Sequence, residues 1–351
     1  MKRIVFVANA GSVHTARWVD YFIERGYDVH VVTFGQTNVT RCTQVHSLSS
    51  REPNRRGGNY RYLLATGRLA ALLKALRPDA VNAHYSYSFG LISTLALARA
   101  GIRTVFSVVC HGSDVLAPPN RLLFDRVNRF VLSRADRCFA VSDEIGDALI
   151  DRLKIAPSKI VVGQYGLELS RDPTMEKREI DVVSIRAWHP NSRIQLLLDG
   201  VAEIGDISAV FVLPGVSETR LASLRRQYAH IEFHAHLPHE AIRRLLRRSR
   251  VYISATRSDG TSLSLLEAMD AGCIPVVSNI VANRSWILDG INGYLFRHGD
   301  AFVQKLRTAL AADDTAVETI RTLNRRLLSD KADYRTQMRK IESQLFDKDN
   351  R

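Results

Sequence analysis

Two acidic residues in the second half of the chain, Asp259 and Glu267, are separated by a segment that could hold a polar ligand at a helix end. The residues that follow the first carboxylate are Gly260, Thr261, Ser262 and Leu263. We predict that a helix begins near residues 262–264 and ends at Gly272, which suits the left-handed position just past a helix end. The first amides of such a helix lack intrahelical partners and carry the positive end of its dipole, so they can bind phosphate or sugar oxygens. Glu267, about one turn inside the helix, can accept hydrogen bonds from a ribose diol.

Two strand-like runs, residues 251–256 and 274–278, flank this segment, so the predicted order is strand, turn, helix, strand. Ligands of open α/β sheets bind beyond the carboxyl ends of the strands. The acidic pair therefore lies where an α/β protein places a polar ligand. Spacing alone leaves a second interpretation open, in which this is an ordinary strand–helix connection with a solvated Asp and Glu.

The rest of the chain shows the same alternation of strand and helix patterns. The predicted strands of the first half are 5–8, 28–33, 80–83, 104–110, 137–141 and 160–163. Strands that alternate with helices predict a doubly wound parallel sheet. Residues 167–179 are polar, contain a proline and have no apolar period, which predicts a linker. We therefore expect an α/β protein with two Rossmann-like domains, 1–166 and 180–328, and a C-terminal helical segment at 329–351.

Composition indicates a globular protein. The 351 residues are 46% apolar and 24% charged, which suffices for two domains with their own cores. The four cysteines lie far apart and include no Cys-x-x-Cys pair, which indicates reduced core thiols in a cytoplasmic protein. The longest uncharged run, 80–98, is too polar for a convincing membrane span.

The net charge of +13 is concentrated in the first half, where residues 1–170 hold 22 Lys and Arg against 13 Asp and Glu. Such a field attracts anionic lipid, a phosphorylated acceptor or nucleic acid. Plain solubility is the alternative explanation.

Several common ligand motifs are missing from the sequence. The first turn, Asn9-Ala10-Gly11-Ser12, does not supply Gly-x-Gly-x-x-Gly, and the chain contains no P-loop. The eleven histidines include no His-Glu-x-x-His or comparable spacing. Dinucleotide oxidoreductase, P-loop NTPase and metalloenzyme interpretations therefore lose their main support.

Four segments have to be explained together: 9–18 with Gly-Ser-x-His-Thr-x-Arg-Trp, the run His111-Gly112-Ser113-Asp114, 184–186 with Ser-Ile-Arg, and 259–267. In this order and spacing they resemble the family 4 retaining glycosyltransferases of the GT-B fold. The resemblance covers nearly the whole chain, and shorter matches at 141–143, 165–168, 277–279 and 286–295 add to it.

This resemblance implies two Rossmann-like domains that face each other across a cleft. It implies a UDP- or GDP-sugar donor bound mainly by the second domain and a saccharide or lipid-linked acceptor bound mainly by the first. It also implies that no metal and no cofactor are required. The last helix, around 334–345, is expected to cross back and pack on the first domain.

The resemblance also assigns roles to individual residues. As catalytic residues it implies His111 near the donor sugar and its phosphate, Arg186 on the diphosphate and Asp259 on hydroxyls of the transferred sugar. The implied donor contacts are Gly11, Arg193, Gly260, Thr261, Ser262, Leu263 and Glu267. The implied acceptor contacts are His14, Arg17 and Asp114. A helix-start role is the alternative for His14 and Arg17, and Asp114 orients either its own loop or an acceptor hydroxyl.

The chain departs from the family pattern at two positions. Asp259 stands where Glu is more frequent, which shortens the reach to the sugar. The second basic residue is usually a Lys five positions after the first. Here Arg193, seven positions after Arg186, is the candidate substitute.

The predicted function is sugar transfer from a nucleotide-sugar with retention, in bacterial surface polysaccharide or glycolipid synthesis. Two alternatives stay open: a GT-B sugar-nucleotide epimerase, and a non-catalytic basic binding protein. The basic segment 51–61 and the helix from Asn120 onward, whose apolar face is edged by arginines, are candidates for docking on the inner face of the membrane. A buried amphipathic helix has the same pattern. We expect a cytoplasmic protein that does not bind nucleic acid. If one of these segments docks on the membrane, the protein is peripheral on its inner face.

Overall fold

The computed structural model describes residues 1–49, 59–116, 118, 120–163, 166–170 and 177–346. Most of the basic segment 51–61, the centre of the predicted linker, and Tyr165 of the match at 165–168 lie outside these residues. The chain forms two compact units: Met1–Gly166 with Arg335–Arg351, and Leu167–Tyr334. We call them the first unit and the second unit.

The first unit is built on a seven-stranded parallel sheet of strand order β3-β2-β1-β4-β5-β6-β7. Its strands are β1 (Arg3–Val7), β2 (Asp28–Thr33), β3 (Val45–Ser47), β4 (Ala80–His84), β5 (Val105–Cys110), β6 (Arg137–Ala140) and β7 (Ile160–Val162). The central strands are buried on both faces, and for this reason they are nearly continuous apolar runs in sequence. The switch point of this Rossmann-type order lies between β1 and β4.

The helices of the first unit connect successive parallel strands. They are α1 (Val13–Glu24), α2 (Thr66–Leu76), α3 (Leu91–Ala100), α4 (Arg121–Leu132) and α5 (Asp143–Asp147). A 3₁₀ segment (Asn59–Ala65) precedes α2, a π-helical segment (Tyr85–Gly90) leads from β4 into α3, and another (Ala148–Arg152) extends α5.

The second unit repeats the design with six parallel strands in the order β10-β9-β8-β11-β12-β13. They are β8 (Ile180–Ile185), β9 (Ala209–Val212), β10 (Ile231–His234), β11 (Ser249–Ser254), β12 (Ile274–Ser278) and β13 (Tyr294–Phe296). Its helices are α6 (Ile194–Ile204), α7 (Glu218–Gln227), α8 (His239–Arg247), α9 (Leu263–Asp270), α10 (Val281–Arg284), α11 (Gly299–Leu310) and α12 (Asp314–Ala332). The switch point lies between β8 and β11, which follow one another in the sheet but not in the chain.

The last helix, α13 (Tyr334–Phe346), packs within the first unit. The Glu342 carboxylate accepts hydrogen bonds of 2.7 Å from the hydroxyls of both Tyr21 and Tyr27. The Phe346 ring stacks on Tyr27 with centroids 5.4 Å apart. These contacts attach the end of the chain to α1 and to the start of β2.

The predicted α/β architecture with two Rossmann-like parallel sheets is confirmed. Helix α3 and strands β2 and β12 have the predicted bounds. Three short edge strands, β3, β10 and β13, and most helices after β12 had no predicted counterpart. An edge strand of three or four residues contains too few residues to show a period of two.

Candidate functional site

Arg186 lies at the centre of a polar cluster at the switch point of the second unit. It follows β8 directly, and Asp259 lies in the loop after β11. One terminal nitrogen of Arg186 is 2.9 Å from Asp259 Oδ2, and the other is 2.9 Å from Ser262 Oγ. The side chains of Arg186 and Asp259 are only 16% and 22% exposed. The fold thus joins residues 73 positions apart into one charged, partly buried constellation.

Tyr252, a fully buried residue of β11, is linked to this cluster through Ser264. Its hydroxyl lies 2.9 Å from Ser264 Oγ, which is itself 3.4 Å from Arg186. Burial alone would lower the pKa of the Arg186 guanidinium, but the Tyr252 hydroxyl and the Asp259 carboxylate raise it by more. Its net pKa is above the ordinary arginine value, so Arg186 is a permanent positive charge.

Helix α9 begins at the predicted place beside Arg186. Ser262 is its N-cap and accepts a hydrogen bond from the amide of Leu265. The Thr261 hydroxyl donates to the Gly260 carbonyl at 2.9 Å, which folds the preceding turn. At the other end Gly272 has φ +77°, as its predicted left-handed position requires. The first amides of α9, from Leu263 onward, therefore emerge at the edge where Arg186 and Asp259 meet.

Glu267 lies one turn further along α9 and contacts α8. Its Oε1 is 3.1 Å from Nε2 of His239, the first residue of α8. The Glu267 side chain is 15% exposed and that of His239 is 58% exposed. The Glu267 carboxylate is thus a hydrogen-bond acceptor beside the solvent-accessible imidazole of His239. Such an acceptor suits a ribose diol.

Arg193 contacts a different part of the loop from Arg186. Its backbone is left-handed (φ 47°), and its Nε donates to the carbonyl of Ala255 at 2.6 Å. Burial, followed by the nearby positive charge of Arg257, lowers the Arg193 pKa. Arg193 and Arg257 line a pocket of about 500 Å³ together with Trp188 and Arg220.

Asn191 occupies the fifth position after Arg186, where the family usually has Lys. Its side chain donates to the Ser258 carbonyl at 2.8 Å and accepts from the Ser258 amide at 3.1 Å. It therefore fixes the loop that carries Asp259 and adds no charge to the site.

In the first unit, His111 directly follows β5 and is held by a buried carboxylate. Asp114 is fully buried, and its Oδ1 accepts from the amides of His111 (3.0 Å) and Gly112 (3.1 Å). Its Oδ2 accepts from the amide of Ser86 at 2.8 Å, at the end of β4. Burial raises the pKa of Asp114 in spite of these hydrogen bonds. Of the two roles expected for Asp114, this geometry provides the orientation of the His111 loop.

Three histidines meet beside this loop. His111 Nε2 is 3.2 Å from Nδ1 of His84, and the His14 ring centroid lies 6.0 Å from that of His111. Tyr85, whose φ of 69° is unusual for a residue with a side chain, stacks on His111 at 4.3 Å. His14, at the start of α1, is thus close to His111, as a shared site would require.

The two other predicted residues of the first unit lie along the turn and helix that follow β1. The amide of Gly11 donates to Asn9 Oδ1 at 3.0 Å, and a Cβ at Gly11 would come within 3.1 Å of Thr37. Arg17 donates to the Gly166 carbonyl at 2.5 Å, which ties α1 to the end of the first unit. The geometry gives Arg17 a structural contact, and its expected role toward the acceptor stays a prediction.

Four supporting residues were not found from the sequence: Asn191, Tyr252, His84 and His239. His84 ends β4 and His239 starts α8, whereas Tyr252 lies within β11 and Asn191 lies in a 3₁₀ turn (Pro190–Ser192) before α6. None of the four belongs to a recognisable motif. Among the residues that the structure describes, no group of three His, Cys, Asp or Glu is arranged to hold a metal ion. In the same part of the chain, no helix is long and apolar enough to cross a bilayer.

Comparison with known families identifies both units. The model of Glycosyltransferase Family 4 matches residues 11–171, and the model of Glycosyl transferases group 1 matches residues 179–312. The chain belongs to the family 4 glycosyltransferases. No curated protein matches this glycosyltransferase at the sequence level.

Solved structures show that this glycosyltransferase has the GT-B fold. Sucrose-phosphate synthase from Thermosynechococcus elongatus superposes with a TM-score of 0.83 at 13% identity, covering 98% of each chain. HepE from Anabaena in complex with UDP-glucose gives 0.77 at 15% identity, covering 98% of this chain and 99% of that one. The apo form of WaaB, a lipopolysaccharide outer core galactosyltransferase, gives 0.72 at 17% identity and 99% coverage of both.

Proposed function

We propose that this glycosyltransferase transfers a sugar, with retention and without a metal ion, from a UDP- or GDP-sugar to a saccharide or lipid-linked acceptor. The observation that carries the proposal is the constellation of Arg186, Asp259 and Ser262 at the start of α9. It combines a permanent cation, the amides at the start of α9 and a carboxylate, which are groups that can bind a sugar diphosphate. HepE, crystallised with UDP and with UDP-glucose, and WaaB, a lipopolysaccharide galactosyltransferase, support the donor and acceptor classes.

The proposed mechanism follows from where charge develops. As the bond between sugar and diphosphate breaks, the leaving group gains negative charge and the sugar becomes oxocarbenium-like. Arg186 and the amides at the start of α9 are preorganised for the leaving group, whereas Asp259 holds sugar hydroxyls. The acceptor attacks the same face that the diphosphate leaves, and a diphosphate oxygen takes its proton. The anomeric configuration of the product tests retention, and activity in EDTA tests metal independence.

An epimerase acting on the same donor is the second candidate, because the donor constellation alone does not require an acceptor. Product analysis separates the two: transfer yields a glycosylated acceptor and a nucleoside diphosphate, whereas epimerisation yields a rearranged nucleotide-sugar or its free sugar.

Glu267→Ala is expected to weaken the binding of UDP or GDP by about tenfold to a hundredfold, because a charged acceptor for the ribose hydroxyls is lost. Calorimetric titration of each free nucleotide into wild type and variant measures the effect and identifies the base. Glu240→Ala, an exposed change on α8 next to His239, is the matched control and should bind like wild type. Equal affinity of all three proteins would remove Glu267 from the nucleotide site.

We also propose that the first unit docks on anionic membrane through α4. The buried side of this helix carries Asn128, Val131 and Leu132. Leu122 and Leu123 are 83% and 56% exposed and, by the helical period, share the outward side with the exposed Arg126. An exposed apolar face edged by arginine fits an anionic bilayer surface, which would bring the enzyme to a lipid-linked acceptor at the inner face of the membrane.

The double change Leu122→Ser/Leu123→Ser should reduce binding to anionic liposomes by at least about tenfold, because two leucines no longer enter the interface. Flotation with anionic and zwitterionic vesicles at low salt measures it. The matched control is Leu288→Ser/Ile291→Ser, which replaces residues of similar exposure in the second unit. Wild-type flotation without preference for anionic lipid would refute the docking.

A further inference from the structure

His84 is a buried histidine that no part of the proposed mechanism uses. It ends β4, is 1% exposed, and lies against the rings of Trp18 (5.4 Å) and Phe6 (6.3 Å). Its one polar contact among the described residues is the 3.2 Å approach of its Nδ1 to Nε2 of His111. This contact reaches the histidine that the family resemblance places beside the donor sugar.

Both rings are neutral. Burial lowers the pKa of His84 to about 3, and burial together with the neighbouring His84 and His14 lowers the pKa of His111 well below its ordinary value. A neutral imidazole has one protonated and one unprotonated ring nitrogen. One proton therefore lies between His84 Nδ1 and His111 Nε2, and its position fixes the tautomer of both residues.

The other nitrogen of His84 decides where that proton lies. His84 Nε2 is buried and has no hydrogen-bond partner in the part of the chain that the structure describes. A buried N–H group without an acceptor is rarer in native proteins than an acceptor atom without a donor. Nε2 of His84 is therefore unprotonated. Its Nδ1 carries the proton and donates a hydrogen bond to His111 Nε2.

We infer that His84 is a positioning residue that fixes His111 as the tautomer protonated on Nδ1. The ring nitrogens of a histidine acquire distinct roles through the hydrogen bond that one of them makes. With its Nε2 lone pair accepting from His84, His111 has no free basic nitrogen. Its Nδ1 then carries an N–H group, whose polarity suits a hydroxyl or phosphate oxygen, and the residue does not act as a general base. This consequence rests on the proposed function, whereas the tautomer itself does not.

Nitrogen NMR of the full-length protein labelled in histidine tests the tautomer directly. In wild type we expect His111 to be protonated on Nδ1 and unprotonated on Nε2, and His84 to be protonated on Nδ1. His84→Leu, which keeps an apolar filling between Trp18 and Phe6, should release His111 into a mixture of tautomers. His84→Asn places an amide N–H near the position of Nδ1 and should restore the wild-type state. His46, paired with His30 at 3.0 Å on neighbouring strands, serves as the unaffected reference signal.

Kinetics with the identified donor supply the second readout. His84→Leu should lower kcat by about tenfold to a hundredfold, by analogy with metal-bound histidines that lose their orienting partner, with KM little changed. His84→Asn should recover most of the loss. A wild-type His111 protonated on Nε2, or an unchanged His111 spectrum in His84→Leu, would overturn the inference. Because the spectra need no donor, absence of transferase activity would count against the proposed function only.

Discussion

Arg186→Ala is expected to lower the rate of sugar transfer by about a thousandfold, the size of effect that follows loss of one preorganised group facing developing charge. Arg186 is the permanent cation beside Ser262 and the start of α9, and its two terminal nitrogens are already oriented by Ser262 and Asp259. The leaving diphosphate would therefore meet a fixed charge that needs no reorganisation. Release of nucleoside diphosphate in the presence of acceptor measures the rate.

Three further variants make this result specific. Arg186→Lys keeps the charge but loses the planar fork, and should fall between wild type and the alanine variant. Arg186→Gln keeps a donor toward Ser262 without the charge, and reports on the site if the alanine variant unfolds because Asp259 is left without its partner. Arg226→Ala, an exposed change on α7 of the same unit, should leave the rate unchanged. A folded Arg186→Ala protein with near-wild-type transfer would refute the proposed role.

Asp114→Ala is expected to lower the free energy of unfolding of the first unit by about 3 kcal/mol, because three amides lose their acceptor and each costs about 1 kcal/mol or more. The amides are those of Ser86, His111 and Gly112. They join the ends of β4 and β5, so the loss also frees the loop that carries His111. The same change should therefore reduce both stability and transfer.

Urea unfolding followed by tryptophan fluorescence measures the loss in one unit. The chain has three tryptophans, and in a Trp188→Phe/Trp286→Phe background only Trp18, buried in the first unit, remains. Asp147→Ala, an exposed carboxylate on α5, is the control and should change stability by less than about 0.5 kcal/mol. If Asp114→Ala matched that control, the carboxylate would not be what holds the loop, and a direct role toward the acceptor would regain weight.

Local patterns were sufficient to predict most of the framework. Helix α9 begins after Ser262 and ends before Gly272 as expected, because a capping serine and a left-handed glycine act within one or two turns. Helix α12 was not predicted, since its buried face includes Asn324 and alternates with many charged residues. Its apolar stripe is visible only once the neighbouring α9 is in place.

The candidate donor residues were chosen because the sequence resembles a family, and their mutual contacts were not predicted. Arg193 was expected as a second diphosphate ligand, a role that stays a prediction. The structure adds that its Nε is bound to Ala255, whereas Asn191 fixes the Asp259 loop. Neither contact can be read from spacing, because each joins residues more than 60 positions apart.

The sequence by itself determined the two parallel α/β units and the helix that follows Asp259, because apolar period, caps and glycines act over a few residues. Only the tertiary structure decided which side chains meet. The order of β8 and β11 in the sheet places Arg186 against Asp259 and Ser262, and the pairing of β4 with β5 places His84 against His111 and Ser86 against Asp114. Strand order depends on the packing of the whole sheet, so these contacts exist only after the chain has folded.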